Sequence, residues 1–305
     1  MIVFQQMLTF LIFMVIGYAA RKTEKISAVG AKNLSWLVAD VANPALIISS
    51  ALKGNDISLS KILQLLVIGF VVYAAMTLIS LLVPVVLRAP QDQAGVYRNA
   101  TVFCNIGFMG FPLLESVFGS EAVLYGAIFL IPFNLLLYTY AIWNCESGNA
   151  VKNGFSPRRM LSSGVIACII AVIICLTKPT LPLFLNSAIT NAANLTAALS
   201  MINVGTFLVK TDLTVMVKDV RIWLFSLFHL LLLPLAGVAL LRLFWHDTTL
   251  LAVMVVILGT PVANMVAILA EQYSENSQFS TGLVAITTLL SVATLPLVYL
   301  ILGLQ

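Results

Sequence analysis

Apolar residues run along the chain in blocks of about twenty, separated by short polar stretches, and each block is long enough to cross about 30 Å of hydrocarbon as a helix. Ten such blocks can be counted: 4–20, 33–52, 62–87, 97–119, 121–143, 160–177, 190–209, 222–243, 248–272 and 279–302. The third is long and predicts a tilted span. The longest polar connection, Glu146 to Arg159, is too short for a soluble domain, so function is expected inside the membrane part.

Two blocks are interrupted. NIGFMGFP (105–112) places two glycines and a proline in the middle of the fourth block, and GTPVANM (259–265) does the same in the ninth. Glycine inside a helix costs about 1 kcal/mol against alanine and proline about 3 kcal/mol. Breaking a helix frees N–H groups at the start of the following half-helix and carbonyls at the end of the preceding one. Pro112 suits the first turn of a new half-helix, where no amide partner is needed. Freed amides and the positive end of the helix dipole favour an anion. Asn105 and Asn264 add neutral amide donors without placing a full charge in lipid, and Gly107 and Gly110 allow close backbone approach. Irregular backbone at this depth is tolerated where it is buried in protein or lines a wet cavity.

The two interruptions belong to an internal repeat. LKGNDISLSK (52–61) resembles LVKTDLTVMVK (208–218), which maps Asp56 onto Asp212 (212 − 56 = 156), and the same offset relates Glu115 to Glu271 and Gly126 to Gly282. The halves are then spans 1–5 (residues 1–145) and spans 6–10 (160–305), joined by a cytoplasmic linker at 146–159. Five is odd, so the second half enters from the opposite side. The fold class expected is all-α integral membrane protein: ten transmembrane helices as two inverted five-helix repeats with broken crossover helices 4 and 9. Matched discontinuous helices in inverted repeats point to a substrate site near the bilayer midplane.

Composition strengthens this picture. Hydrophobic residues make up 61% and charged residues 9% of the 305, with a mean hydropathy of +1.05, against about 25% charged in a soluble domain. The cluster Arg21, Lys22 and Lys25 follows the first apolar run, the wrong flank for a signal peptide, so that run reads as a retained span. With the N-terminus outside, twelve basic residues fall in inside loops (around residues 21–32, 88–98, 152–159 and 210–221). Four fall outside: Lys53, Lys61, Lys178 and Arg242. This asymmetry puts both termini outside a plasma (cytoplasmic) membrane. The net charge of +4 lies in short loops and does not indicate nucleic acid. The four cysteines show neither C-x-x-C spacing nor a histidine cluster, and read as apolar packing residues without a metal or disulfide role.

Other polar residues lie within the spans. Asp40 in span 2 is either a carrier of a coupling proton or sodium ion, or an acid facing water near the inner leaflet. His229 in span 8 titrates near neutrality if free or is a hydrogen-bonded core histidine. Its repeat partner is Tyr73, so both halves put a polar ring at one place. Glu115 and Glu271 read as interfacial or interhelical partners, and Asn134, Asn194 and Asn203 as interhelical hydrogen-bonding residues. Asn43 does the same or lines the cavity, since it precedes Pro44. No lysine or arginine lies at midplane, which favours a monoanion over a dianion. No cofactor is expected beyond a coupling proton or sodium ion.

NIGFMGFPLLESVFG in span 4, GTPVANMVAILAEQY followed by LSVATLPLVYLIL in spans 9 and 10, and NPALIISSAL (43–52) in span 2 resemble the auxin efflux carrier family. That family includes plant auxin exporters and bacterial carriers of malonate- or malate-like acids. The resemblance covers essentially the whole chain. It implies a fold similar to bile-acid/sodium symporters, with spans 1, 2, 6 and 7 as a scaffold that forms homodimers and spans 3–5 and 8–10 as a transport domain. Crossing helices 4 and 9 hold the substrate carboxylate, which places Asn105, Pro112, Pro261 and Asn264 at or beside the crossing. Two departures stand out. The long hydrophilic central loop of many plant members is missing, and at the 156 offset Asn105 matches Pro261, not Asn264. The function expected is secondary transport of a small organic anion, with a sodium-coupled bile-acid-like symporter and a non-transporting receptor as rivals. No G-x-S-x-G, H-E-x-x-H or paired intramembrane aspartates appear, so no enzyme is expected.

Overall fold

The computed structural model describes residues 2–53, 57–145, 161–209, 216, 218–273 and 276–303. The Asp56–Asp212 correspondence and the whole of the 146–159 linker lie outside these residues. Among the described residues the chain is helical, and its one β-type contact is an isolated antiparallel bridge between Cys104 and Val262.

The first half contains α1 (Ile2–Lys22), α2 (Ala28–Leu37), α3 (Asn43–Leu52), α4 (Leu59–Val86), α5 (Gln91–Val102), α6 (Phe111–Ile128), α7 (Leu130–Leu136) and α8 (Ile142–Cys145). The second contains α9 (Ser163–Thr177), α10 (Leu183–Asn194), α11 (Thr196–Leu208), α12 (Val220–Leu227), α13 (Leu233–Arg242), α14 (Thr248–Gly259), α15 (Asn264–Tyr273) and α16 (Ser277–Leu302). Among the described residues, six helical runs are long and apolar enough to cross a membrane: 2–22, 28–52, 59–86, 106–145, 220–242 and 277–302. The helices at 163–177 and 248–259 are apolar but shorter. The run 106–145 holds what the sequence divides into spans 4 and 5. The division is at Gly119, whose φ of 77° lies outside the range that helical residues adopt.

Helix starts follow local chemistry. Ser27, Ser58, Ser162 and Asp247 each accept an amide hydrogen of their helix's first turn, which satisfies a donor that the helix leaves open. Three turns of π-helix, 38–42, 106–110 and 228–232, each end two residues before a proline: Pro44, Pro112 and Pro234. Proline has no N–H and crowds the preceding turn, so the helix widens there and a carbonyl loses its partner. Side chains from elsewhere take up two of these carbonyls. Ser163 donates to Ala39 O at 3.1 Å, and Asn43 Nδ2 donates to Gly107 O at 2.9 Å.

Packing joins the halves crosswise: α1 lies against α11, and α9 and α10 lie against α3. The α1–α11 crossing depends on two glycines. A Cβ on Gly17 would lie 2.0 Å from the Ile202 carbonyl oxygen, and one on Gly205 2.1 Å from that of Met14, the backbone-to-backbone approach that small residues permit in membranes. Every residue of α14 from Leu250 to Gly259 is buried, whereas α1 and α4 keep outward apolar faces, among them Ile12, Val67 and Val85. Burial on one side and apolar exposure on the other is what a bundle in lipid requires.

Candidate functional site at the crossing of the two broken helices

The two interruptions meet. After α5 ends at Val102 and after α14 ends at Gly259, residues 103–105 and 260–263 run antiparallel and exchange two backbone hydrogen bonds. Asn105 N–H donates to Pro261 O at 2.7 Å, and Ala263 N–H donates to Phe103 O at 2.9 Å. These two bonds are related by a local two-fold through the Cys104–Val262 bridge. That symmetry equates Asn105 with Ala263 and Phe103 with Pro261 (263 − 105 = 158), two residues away from the 156 register expected from sequence. Asn264 therefore stands one residue beyond the position equivalent to Asn105.

The crossing uses several of the amides that the breaks set free. Asn105 O receives the N–H groups of Met109 and Gly110, Asn105 Oδ1 receives Phe108 N–H at 3.3 Å, and Val262 N–H reaches Thr287 Oγ1 at 3.2 Å. An unpaired N–H in a dry interior costs about 1–3 kcal/mol, and the breaks pair two of those amides with each other. Side chains add further donors. Asn105 and Asn264, 2% and 3% exposed, each bury an Nδ2 with no partner among the described residues. Asn43 is also buried, its Nδ2 on Gly107 O and its Oδ1 unpartnered. Asn264 borders a cleft of about 290 Å³, open mouth included, between α11, α15 and α16, with Phe207, Thr281 and Thr288 on its wall.

The remaining predicted residues fall into three settings. Gly107 and Gly110 lie in the turn itself, and Gly110 packs so that a Cβ would be 3.1 Å from the side chains of both Ile106 and Val256. Pro112 is the second residue of α6, and Pro261 supplies a bridging carbonyl. His229 is fully buried beneath the crossing and stacked on Phe225, with Nε2 3.2 Å from Thr260 O and 3.9 Å from Cys104 Sγ. Tyr73 is buried edge-on to Phe133. Asp40 is exposed and accepts a hydrogen bond from Ser163 at 2.7 Å, which ties α9 to the π-turn preceding α3.

Sequence reading missed Thr287 and Ser291, which brace the crossing from α16, the latter through a 3.7 Å contact with Met109 Sδ. Their signal was the spacing of Ser280, Thr287 and Ser291 in an apolar run, seven and four residues apart on one helix face. Glu115 is an interhelical partner, as expected, and pairs with Lys53 at the end of α3.

A chain of apolar spans around two mutually paired helix breaks is the architecture of a multi-pass membrane protein with an internal polar site. The family model described as membrane transport protein matches residues 2–158 and 157–299. The chain belongs to this family, that of the auxin efflux carriers, and is a membrane transporter. A search of curated proteins found no match.

Proposed function

We propose that this transporter moves a small organic anion, with its carboxylate held at the crossing by Asn105 and Asn264. The observation that carries this reading is the pair of buried, unpartnered amide groups at the meeting point of the two breaks. A carboxylate offers only acceptors and no donor of its own, so it complements two NH₂ groups. Two ion pairs among the described residues, Lys53–Glu115 and Lys61–Asp247, join helix ends rather than the crossing. Neutral donors suit a single negative charge.

Transport proceeds by alternating access between two inverted halves, with the chain crossing the plasma membrane ten times and both termini outside. The exchange of partners between halves, α1 with α11 and α9 with α3, supports the repeat. The division into a dimerising scaffold and a moving domain follows the family resemblance, and the Lys53–Glu115 pair and the Asn43–Gly107 hydrogen bond would then link the two bodies. Coupling by protons or sodium is assigned to the polar groups around the crossing, His229 and Tyr73, with Asp40 as the surface candidate.

Binding of a panel of short organic acids to purified protein, followed by thermal shift, tests the site. Asn105→Ala and Asn264→Ala each remove a hydrogen bond to a charged group, about 1.5–3 kcal/mol, and are expected to weaken binding roughly ten- to hundred-fold. Unchanged affinity in both variants would place the substrate elsewhere.

A further inference from the structure

The chain turns sharply at the end of α1, and four cations gather at the elbow. Arg21 and Lys22 close α1, Lys25 lies in the turn, and Lys32 stands in the first half of α2. Thr23 N–H donates to Ala19 O at 2.9 Å, Glu24 N–H to Arg21 O at 3.2 Å and Ile26 N–H to Ala20 O at 3.0 Å. Glu24 takes the left-handed conformation, with φ 57°. The turn is therefore tight, and α1 and α2 both lie against α11. Arg21 Nη1 donates to Ile26 O at 3.3 Å, and Lys22 Nζ lies 5.6 Å from the centre of the Tyr18 ring. Lys22, Lys25 and Lys32 are exposed. Glu24 is the one acid between residues 21 and 32, so the elbow carries a net charge of +3 (4 − 1). Two ion pairs among the described residues, Lys53–Glu115 and Lys61–Asp247, lie elsewhere.

An apolar surface continues from this charge. Trp36 follows Lys32 by four residues, which puts both on one face of α2, and Trp36 is 60% exposed with Leu37 beside it 36% exposed. A tryptophan near the end of a span sits at headgroup level with its ring against hydrocarbon, and a lysine one turn away carries its ammonium back to the charged zone along its own methylenes. Asp40 stands a further turn on and is held by Ser163 at 2.7 Å. The face thus runs from cations to bare aromatic and aliphatic surface. A soluble anion would use only the first part, whereas a phospholipid uses both. Four or more lysines and arginines next to a membrane helix attract anionic lipid. We propose that the α1–α2 elbow binds an anionic phospholipid, with its phosphate among Arg21, Lys22, Lys25 and Lys32 and an acyl chain along Trp36 and Leu37. In the orientation proposed above, this lipid belongs to the cytoplasmic leaflet. The site uses none of the crossing residues, so it is tested apart from the substrate reading.

Trp36 itself reports the test. In the full chain carrying Trp143→Phe, Trp223→Phe and Trp245→Phe it is the one tryptophan left, and lipids with brominated acyl chains quench its fluorescence on contact. Proteoliposomes of brominated phosphatidylglycerol in plain phosphatidylcholine are set against the reverse labelling of the same mixture. Quenching is expected to favour the anionic lipid about five-fold at low salt. The preference should fall toward one in high salt and in Lys25→Gln/Lys32→Gln, while quenching of that variant in pure brominated phosphatidylcholine stays unchanged. Equal quenching by the two lipids with the lysines intact overturns the inference, and so does a preference that survives in the lysine variant. A preference abolished by inorganic phosphate at constant ionic strength assigns the cations to a soluble anion and also overturns it. Should the phenylalanine substitutions unfold the chain, native mass spectrometry of protein with all its tryptophans decides the matter. Preferential retention of phosphatidylglycerol, lost in Lys25→Gln/Lys32→Gln, supports the site, and equal retention of both lipids overturns it.

Discussion

The hydroxyl of Thr287 accepts the amide hydrogen of Val262 at 3.2 Å, so a side chain in the middle of α16 completes the hydrogen bonding of a backbone that lies between two half-helices. The same hydroxyl donates to Leu283 O at 2.8 Å within its own helix. It is fully buried. Through this bond the last long helix holds the second break in the shape that the first break pairs with.

Thr287→Val keeps the shape of the side chain and removes the acceptor. The Val262 N–H is then buried and unpaired, at a cost of about 1–3 kcal/mol. The expected result is a melting temperature lower by several degrees and weaker organic-acid binding, with both restored by Thr287→Ser, which keeps the hydroxyl. A Thr287→Val protein that melts and binds like the unaltered one would show that the crossing does not depend on this bond.

Gly17 and Gly30 separate close approach from simple helix propensity. A Cβ on Gly17 meets the Ile202 backbone at 2.0 Å, so alanine there must push α1 away from α11. Overpacking of this kind costs about 1–3 kcal/mol. A Cβ on Gly30 meets only side-chain atoms at 3.4 Å, and alanine in a helix is favoured over glycine by up to about 1 kcal/mol. Melting curves read by size-exclusion chromatography should fall for Gly17→Ala and hold or rise for Gly30→Ala.

Asp247 lies between spans 8 and 9 and caps α14. Partial burial acts to raise its pKa, but the hydrogen bond from Lys61, the amides of Leu250 and Thr249 and the lysine charge outweigh it and hold the carboxyl below its ordinary range. A lowered folded-state pKa means that the ionised form stabilises the protein at neutral pH. That contribution is lost as pH falls through the lowered value, below about 4. The group is partly exposed and the pair is screened, so the effect is small: an ion pair of this kind contributes up to about 1 kcal/mol. Asp247→Asn retains the cap and should melt up to about 3 °C lower at pH 7 in low salt. The difference should shrink in high salt and close below pH 4. A difference that persisted unchanged at pH 3 would rule out the carboxylate charge as its source.

Several parts of this protein could be read directly from residues near one another in the chain. Apolar runs of membrane length, the interruption at NIGFMGFP and its counterpart at GTPVANM follow from chemistry that acts over a few positions. Pro112 cannot donate a hydrogen bond whatever its neighbours are, and Asn105 offers an amide wherever it sits. The break at Gly119, inside an otherwise continuous helical run, falls where the fourth apolar block ends. Register between the halves was not. The offset of 156 came from loop similarity, while the paired bonds at the crossing obey 158, because backbone pairing depends on how two helices meet and not on which loop residues look alike.

By itself, the amino-acid sequence determined that this is a bundle of membrane helices, that two of them break, and which residue types stand at the breaks; these are consequences of hydropathy and of proline and glycine backbone chemistry. Only the tertiary structure decided how the freed groups are used. It joined Asn105 N–H to Pro261 and Ala263 N–H to Phe103, capped Gly107 with Asn43, and braced Val262 with Thr287. What is left unpaired at the crossing is the remainder of that accounting, and it is invisible in one dimension because each bond joins residues far apart in the chain, brought together by packing alone.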